Sequence, residues 1–222
     1  MKQPPLSPTD FARLTGIDTD SGTGTGTLAR LEALLALLCR WQTRINLVGP
    51  ATLDDPWRRH MLDSAQLAPL LPSSTDRGLP SVVDLGSGAG FPGLVLAILT
   101  GAPVTLVDSD RRKCAFLIEA ARITNARVQI LPLRIEAPPG SPPNGGYDVV
   151  TARALAPLPK LLALAEKWLA PGGICLFLKG RGVEAELTAA AKDWTMHATC
   201  AASRSDPAGV ILRIEKVSRR DS

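Results

Sequence analysis

Residues 84–93 read DLGSGAGFPG, a stretch in which one acid is followed by four glycines within eight positions. The apolar run SVVDL (81–85) leads into this stretch, and the apolar run LVLAIL (94–99) follows it. A strand that ends in closely spaced glycines and continues as a helix is typical of a nucleotide-binding loop, because glycine permits a sharp turn and a close ligand approach. The loop amides then converge beside a helix N-terminus, which favours an anionic group such as a carboxylate or phosphate.

Outward from this loop, short apolar runs alternate with helical patterns. The predicted strands are 81–85, 103–108, 128–131, 147–151 and 173–178, and the predicted helices between them are 92–99, 111–124 and 158–169. This alternation predicts an α/β fold, a doubly wound Rossmann-like sheet that is mostly parallel. Segments 194–202 and 209–217 predict an antiparallel C-terminal strand pair at the sheet edge, and the run PPGSPPNGG (138–146) predicts a surface loop.

The first 79 residues have a different pattern and predict an N-terminal helical extension to a domain spanning 80–222. Apolar residues at helical spacing predict one helix over 28–45. Acids followed by Pro56 predict a second helix from about 54 to 70. The run SGTGTGT (21–27) predicts a flexible segment ahead of both, because glycine loses much conformational freedom in a regular element.

Composition narrows the class of protein. A chain of 222 residues suits one substantial domain, and a net charge of +4 permits a nucleic-acid partner without requiring one. The four cysteines lie far apart without a C-x-x-C pair or nearby histidines, so we predict buried free thiols and no metal site. No signal segment and no apolar stretch of membrane-spanning length is visible, so we expect a cytoplasmic protein without a membrane contact.

The glycines of the loop also fit the dinucleotide pattern G-x-G-x-x-G, so the loop by itself leaves the nucleotide open. Two features favour S-adenosylmethionine over NAD. Asp84, two residues before the first glycine, would repel a pyrophosphate but can engage a methionine ammonium directly or through water. The chain also lacks the second mononucleotide-binding half of a dehydrogenase. We therefore predict that Gly86, Gly88 and Gly90 bind the amino-acid end of this cofactor and that Asp108 accepts both ribose hydroxyls.

Three further groups are predicted to face the same crevice, because loops at the carboxyl ends of neighbouring parallel strands meet there. Ile135 and Glu136 follow the third strand and should border the adenine with a backbone amide and a carboxylate. Arg153 and Lys179 end the fourth and fifth strands, where two cations left unpaired would be costly, so a functional role is favoured over packing. Arg153 would order the pocket. The two histidines, at 60 and 197, are interpreted as structural.

Five sequence segments together indicate a particular protein family, which the fold alone does not. They are NLV (46–48), RHMLDS (59–64), FPG (91–93), TARA (151–154) and LKG (178–180). In order and spacing they resemble the RsmG family, also called GidB, whose members are bacterial methyltransferases of the small-subunit ribosomal RNA that act on guanine N7. The resemblance covers roughly residues 28–217 and implies that Gly86, Phe91, Ile135, Glu136 and Arg153 bind S-adenosylmethionine. The chain departs in its Gly/Thr-rich lead-in and in Phe91, where other members often carry leucine.

The resemblance implies methyl transfer from S-adenosylmethionine to N7 of a guanine in 16S ribosomal RNA, with ribosomal RNA or the small ribosomal subunit as partner and a monomeric enzyme. The residues agree, because neutral guanine has a free N7 lone pair and no general base is indicated. Lys179 is the catalytic candidate, as a donor to a phosphate or to guanine O6. Cations that could contact RNA are Arg40, Arg44, Arg58, Arg59, Arg111, Arg112, Lys113 and Arg181.

Alternatives stay open at this point, because a cofactor loop does not name the acceptor. The chain could methylate a small molecule or a protein. It could also be a non-catalytic ribosome-binding factor that keeps a vestigial cofactor pocket, although the complete loop and the two cations speak against this.

Overall fold

A computed structural model describes residues 3–19, 21–76, 78–138 and 145–220. The strands are β1 Val82–Leu85, β2 Val104–Val107, β3 Val128–Leu131, β4 Tyr147–Arg153, β5 Leu169–Lys179, β6 Trp194–Ala202 and β7 Val210–Arg219. The α-helices are α1 Pro8–Thr15, α2 Gly22–Gln42, α3 Asp63–Ala65, α4 Gly93–Thr100, α5 Arg111–Thr124, α6 Leu158–Ala165 and α7 Val183–Ala190.

All seven strands form one sheet in the order β3-β2-β1-β4-β5-β7-β6. The first five are parallel, whereas β7 lies antiparallel between β5 and β6. The doubly wound sheet and its antiparallel C-terminal pair are thus confirmed. Chain order reverses between β1 and β4, so the crevice that such sheets use for ligands lies above the carboxyl ends of these two strands.

Both faces of the sheet are covered, which explains why every residue of β1 and β2 is buried. One face carries α1, α2, α4 and α5, and the other carries α6 and α7. The predicted division into an extension (1–79) and a domain (80–222) stays a prediction. In the structure, Phe11 and Leu34 share one hydrophobic core with Val82 and Leu94.

The prediction of a flexible segment over 21–27 is wrong, because α2 already begins at Gly22. The Ser21 hydroxyl caps this helix by accepting a hydrogen bond from the Gly24 amide at 3.1 Å. A Cβ on Gly24 would lie 1.7 Å from the Asp18 carbonyl oxygen, so the close approach of two backbone segments requires glycine there. The cap offsets part of the conformational cost of the glycines.

The single helix predicted over 54–70 is also wrong. The chain instead forms a 3₁₀ turn at Pro50–Asp54, a π-helical turn at Trp57–Leu62, the short α3, and a 3₁₀ turn at Ala68–Leu70. Apolar spacing cannot separate these turns, because they differ only in whether a backbone bond spans three, four or five residues. The π-helical turn contains the first part of the RHMLDS segment.

Smaller differences concern element ends. Helix α6 ends at Ala165 and β5 begins at Leu169, where one longer helix was predicted. Helices α1 and α7 were not predicted. Of the predicted loop 138–146, residues 139–144 lie outside the described residues.

The cysteines are free thiols, as predicted, but only two of them are buried. Cys114 and Cys175 are buried, whereas Cys39 and Cys200 are exposed. The prediction of four buried thiols is therefore wrong for the latter two, because Cys39 is on the solvent side of α2 and Cys200 is on the edge strand β6.

Candidate active site

A cleft lies above the carboxyl ends of β1, β4 and β5. It consists of two adjoining cavities of about 530 Å³ and about 370 Å³. Gly86, Lys113, Arg153 and Ala154 line both cavities and mark the place where they meet. All of the predicted cofactor-binding residues except Gly90 line one cavity or the other, and Lys179 lines the larger one.

The glycine loop forms the floor of this cleft. Gly86, Gly88 and Gly90 have φ angles of 70°, 55° and 84°, in the left-handed region that favours glycine. A Cβ on Gly90 would lie 2.9 Å from Leu94 Cβ, so this position also needs glycine for packing. The Gly88 amide donates to Asp108 Oδ2 at 2.9 Å, which ties the loop to the end of β2.

Asp84 supports the loop from within the core. Its carboxylate accepts hydrogen bonds from Thr151 Oγ1 at 2.8 Å and from the Gly93 amide at 3.2 Å. Burial raises the pKa of Asp84 to about 6, although these bonds favour the ionised form. Asp84 is buried beneath the loop, so the direct contact with a ligand ammonium, one of its two predicted roles, does not fit this position.

The smaller cavity brings together the residues predicted for the nucleoside. Asp108, Ile135 and Glu136 all line it. The Ile135 carbonyl accepts a hydrogen bond from Trp168 Nε1 at 3.0 Å, and the Glu136 carbonyl accepts one from Lys167 Nζ at 2.9 Å. These two bonds to backbone carbonyls fix the turn after β3, and the same two residues line the cavity.

Arg153 stands at the centre of a cluster between the two cavities. Its Nη1 atom donates to Asp63 Oδ2 at 3.2 Å and to the Arg59 carbonyl at 3.1 Å. Its guanidinium carbon lies 5.2 Å from the centroid of the Phe91 ring, and His60 stacks on the same ring at 4.8 Å. Arg153 is therefore paired within the protein, so the cost of an unpaired cation does not by itself require a ligand there. The Asp63 partner lies 90 residues away in sequence, a contact that spacing cannot reveal.

His60 joins this cluster as a neutral imidazole. The Arg153 guanidinium can only donate, and it lies 3.3 Å from His60 Nδ1, so Nδ1 accepts and the proton is on Nε2. Nε2 then donates to Thr52 Oγ1 at 2.8 Å. Burial lowers the pKa of His60 to about 3, and the positive charges of Arg153 and Arg59 add to this effect. From the sequence, His60 was interpreted as structural. Its position in the family-like segment RHMLDS was the feature that could have placed it at the site.

The pKa of His60 predicts how stability depends on pH. The unfolded chain, with a pKa near 6.5, binds a proton that the folded chain rejects down to about pH 3, so stability falls as the solution is acidified. Between pH 7 and pH 5 we expect wild type to lose about 2 kcal/mol more unfolding free energy than His60→Gln. Asp84, whose pKa is raised, acts in the opposite sense in both proteins and cancels in this difference.

Urea unfolding at the two pH values measures this difference. His197→Gln is the matched control, because that imidazole is exposed on β6. Parallel pH dependences of wild type and His60→Gln would contradict the prediction.

Lys179 is also paired. Its Nζ atom lies 2.6 Å from Glu186 Oε2 and donates to the Ala156 carbonyl at 3.0 Å, with only 9% of the side chain exposed. Glu186 lines the larger cavity as well. The partner was missed because α7, which carries Glu186, was not predicted.

The β6–β7 connection completes the larger cavity. Ser203, Asp206, Gly209 and Val210 line it together with Arg59. Arg59 Nη1 lies 2.7 Å from Asp206 Oδ2, and this bond lowers the pKa of Asp206. Sequence reasoning treated this connection as part of a sheet edge and did not predict its place at the site.

Two negative findings apply to the part of the chain that the structure describes. It contains no group of three or more His, Cys, Asp or Glu side chains able to hold a metal ion. None of its helices is both long and apolar enough to cross a membrane.

Residues 27–205 match the profile of the GidB family, described as rRNA small subunit methyltransferase G. This match covers most of the chain. The chain belongs to this family. Among its relatives, ribosomal RNA small subunit methyltransferase G of Paramagnetospirillum magneticum is 55% identical over 203 residues, which is 90% of this chain and 94% of that protein. The protein of the same name from Rhodospirillum rubrum is 58% identical over 193 residues, covering 87% and 92% of the two chains.

Solved structures agree on the fold. The tRNA methyltransferase TrmI from Aquifex aeolicus has a TM-score of 0.53 at 15% identity and matches 72% of this GidB-family chain and 69% of its own. Fibrillarin from Aeropyrum pernix, solved with S-adenosyl-L-methionine, also has a TM-score of 0.53, at 16% identity over 71% and 75% of the two chains. Both support the Rossmann-like methyltransferase architecture.

Proposed function

We propose that this chain transfers a methyl group from S-adenosylmethionine to N7 of a specific guanine in the 16S ribosomal RNA of the small subunit. The observation that carries the proposal is the pair of cavities that meet at Gly86 and Arg153, in a member of a family of rRNA methyltransferases. The smaller cavity is lined by Asp108 and Glu136, whose carboxylates suit a nucleoside. Gly86 of the glycine loop lines both cavities and Gly88 lines the larger one, which also has Arg59 and Lys179, cations that suit RNA.

The residues of the cleft fit S-adenosylmethionine. Backbone amides of left-handed glycines can approach its amino-acid end closely, and a Cβ on Gly88 would have only Gly86 O within 4 Å, so this side of the loop is open. Each Asp108 oxygen accepts one protein hydrogen bond and keeps a lone pair for a ribose hydroxyl. The residues that would hold the cofactor are Gly86, Gly88, Gly90, Phe91, Asp108, Ile135, Glu136 and Arg153. When bound, the cofactor supplies an electrophilic methyl group on a sulfonium.

The chain's own residues position the acceptor. Guanine N7 has a free lone pair in the neutral base, so no side chain needs to remove a proton. Apolar side chains line part of the larger cavity, namely Leu47, Val48, Phe91, Leu178 and Val210. Lys179 is the catalytic candidate, because it lines this cavity and its ammonium, bonded twice within the protein, keeps a third N–H for guanine O6 beside the reacting N7. Positioning of the acceptor against the methyl donor is the main contribution that such a reaction needs.

The alternative activities are less well supported. The relatives carry rRNA methyltransferase names, so a small molecule or a protein is not the favoured acceptor. A dehydrogenase would need a second mononucleotide-binding half, where this sheet has the antiparallel pair β7 and β6. The complete glycine loop, with Gly86, Gly88 and Gly90 in left-handed conformations beside the cleft, speaks against a non-catalytic ribosome-binding factor.

The test is a map of N7-methylguanine in 16S ribosomal RNA from cells with and without this protein. We expect one guanine to lose its methyl group in the deletion strain and to regain it on complementation. Purified protein should restore the same mark on undermethylated subunits in the presence of S-adenosylmethionine. Identical maps from both strains would contradict the proposal.

We also propose that the enzyme is a cytoplasmic monomer. Its exposed large apolar side chains among the described residues are Leu14, Leu79 and Ile118, which are scattered and form no contiguous patch in sequence. The free thiols suit a reducing compartment. Light scattering should give the mass of one chain, 23.5 kDa.

A further inference from the structure

A single carboxylate oxygen joins three elements at the edge of the cleft. Glu186 Oε2, on α7, lies 2.6 Å from Lys179 Nζ at the end of β5. The same oxygen accepts a hydrogen bond from the Leu158 amide at the start of α6, also at 2.6 Å. Lys179 in turn donates to the Ala156 carbonyl at 3.0 Å. The loop between β4 and α6 is therefore held from both sides by this ion pair.

The bond to Leu158 supplies something that α6 lacks. Its N-cap residue is Pro157, which makes no side-chain capping bond. A carboxylate at a helix N-terminus satisfies a free amide and interacts favourably with the helix dipole. The bond to Leu158 fixes the Glu186 carboxylate independently of Lys179, so that Lys179 meets an acceptor in a fixed position.

The two bonds of Lys179 restrict the direction of its remaining donor. An ammonium group has three N–H bonds in tetrahedral geometry and otherwise rotates freely. With one N–H directed at Glu186 and another at the Ala156 carbonyl, the direction of the third is set. Because Lys179 lines the larger cavity, this third N–H is the donor available to an acceptor base.

The loop held by this pair runs past the junction of the two cavities. Ala154 has a φ angle of 51° and lines both cavities. The next residue, Leu155, packs on the glycine loop so closely that a Cβ on Gly86 would lie 2.8 Å from Leu155 Cδ1. The position of Lys179 is thereby connected to the floor on which the cofactor would lie.

We propose that Glu186 is a positioning residue that directs the Lys179 ammonium at guanine O6 and so aligns N7 for methyl transfer. The inference rests on the proposed function and adds a reason for base selection. An ammonium with one directed donor favours the O6 acceptor of guanine and disfavours adenine, which has an amino group at the equivalent position.

The test is a double-mutant cycle on undermethylated small subunits. Glu186→Gln keeps the size of the side chain and an oxygen acceptor for Leu158 but removes the charge. We expect kcat to fall about tenfold, with KM for subunits and Kd for S-adenosylmethionine within about twofold of wild type. In a Lys179→Ala background, Glu186→Gln should have no further effect, because Glu186 is proposed to act only through the ammonium that this background lacks.

Glu184→Gln is the matched control, because Glu184 is an exposed carboxylate on the same helix, two residues earlier. It should leave kcat unchanged. Equal kcat values for Glu186→Gln and Glu184→Gln would overturn the inference, as would fully additive losses in the double mutant or a large change in cofactor Kd. Failure of the proposed function is distinguishable, since wild type itself would then leave the guanine unmethylated, and the inference would fall with it.

Discussion

Gly88→Leu is expected to abolish detectable binding of S-adenosylmethionine and, with it, methyl transfer. Gly88 has a φ angle of 55°, and the space beside its missing side chain is open toward the cleft. A leucine there would occupy the volume that the amino-acid end of the cofactor needs. We expect Kd to rise at least about 100-fold, equivalent to roughly 2.7 kcal/mol, as measured by isothermal titration calorimetry.

Gly101→Leu is the matched control for this experiment. Gly101 also has a left-handed φ angle, 70°, and open space around a built Cβ, but it ends α4 away from the cleft. Both variants should lose about 1–2 kcal/mol of unfolding free energy from the strained backbone. Only Gly88→Leu should lose cofactor binding. Wild-type affinity in Gly88→Leu would mean that the cofactor does not lie on this loop.

Arg153→Ala is expected to damage both stability and activity. The substitution leaves Asp63 without its cationic partner and His60 Nδ1 without its donor. Removing one partner of a fully buried ion pair costs about 3–5 kcal/mol, and here we expect about 2–3 kcal/mol because solvent reaches 21% and 17% of the two side chains. Methyl transfer should fall by at least about two orders of magnitude, because Phe91 and the glycine loop lose a support.

Urea unfolding and single-turnover methyl transfer check this prediction. Arg153→Lys keeps the charge but not the planar fork of donors, so it should recover part of the stability and little of the activity. Arg112→Ala is a surface control, because that side chain is 73% exposed and pairs with Asp110. Its stability should stay within about 0.5 kcal/mol of wild type. An Arg153→Ala protein as stable as this control would contradict the assignment.

The sheet could be predicted from sequence because its signals are local. Buried parallel strands are short apolar runs, and the glycine loop fixes where the first of them ends. The N-terminal region was harder, because its turns are not set by periodicity. The Gly/Thr run begins a helix that Ser21 caps, and Gly24 fits against the Asp18 carbonyl six residues earlier, a turn geometry that apolar spacing does not indicate.

The site shows the same limit. Residues that follow strands, such as Asp108 and Arg153, could be placed at the cleft, because parallel strands bring their carboxyl ends to one edge. Their partners could not be placed. Asp63 follows a π-helical turn and Glu186 lies on α7, and neither element was predicted from the sequence. The ion pairs that neutralise Arg153 and Lys179 could therefore be identified only from the structure.

The strand order determines where this protein can be truncated without loss of the sheet. The family profile ends at residue 205, yet β7 begins at Val210 and lies between β5 and β6. A chain shortened to the profile would lose the central member of a three-strand ribbon. Two strands would then present unpaired backbone edges, the kind of surface through which proteins aggregate. The family profile is therefore shorter than the sheet that the chain forms.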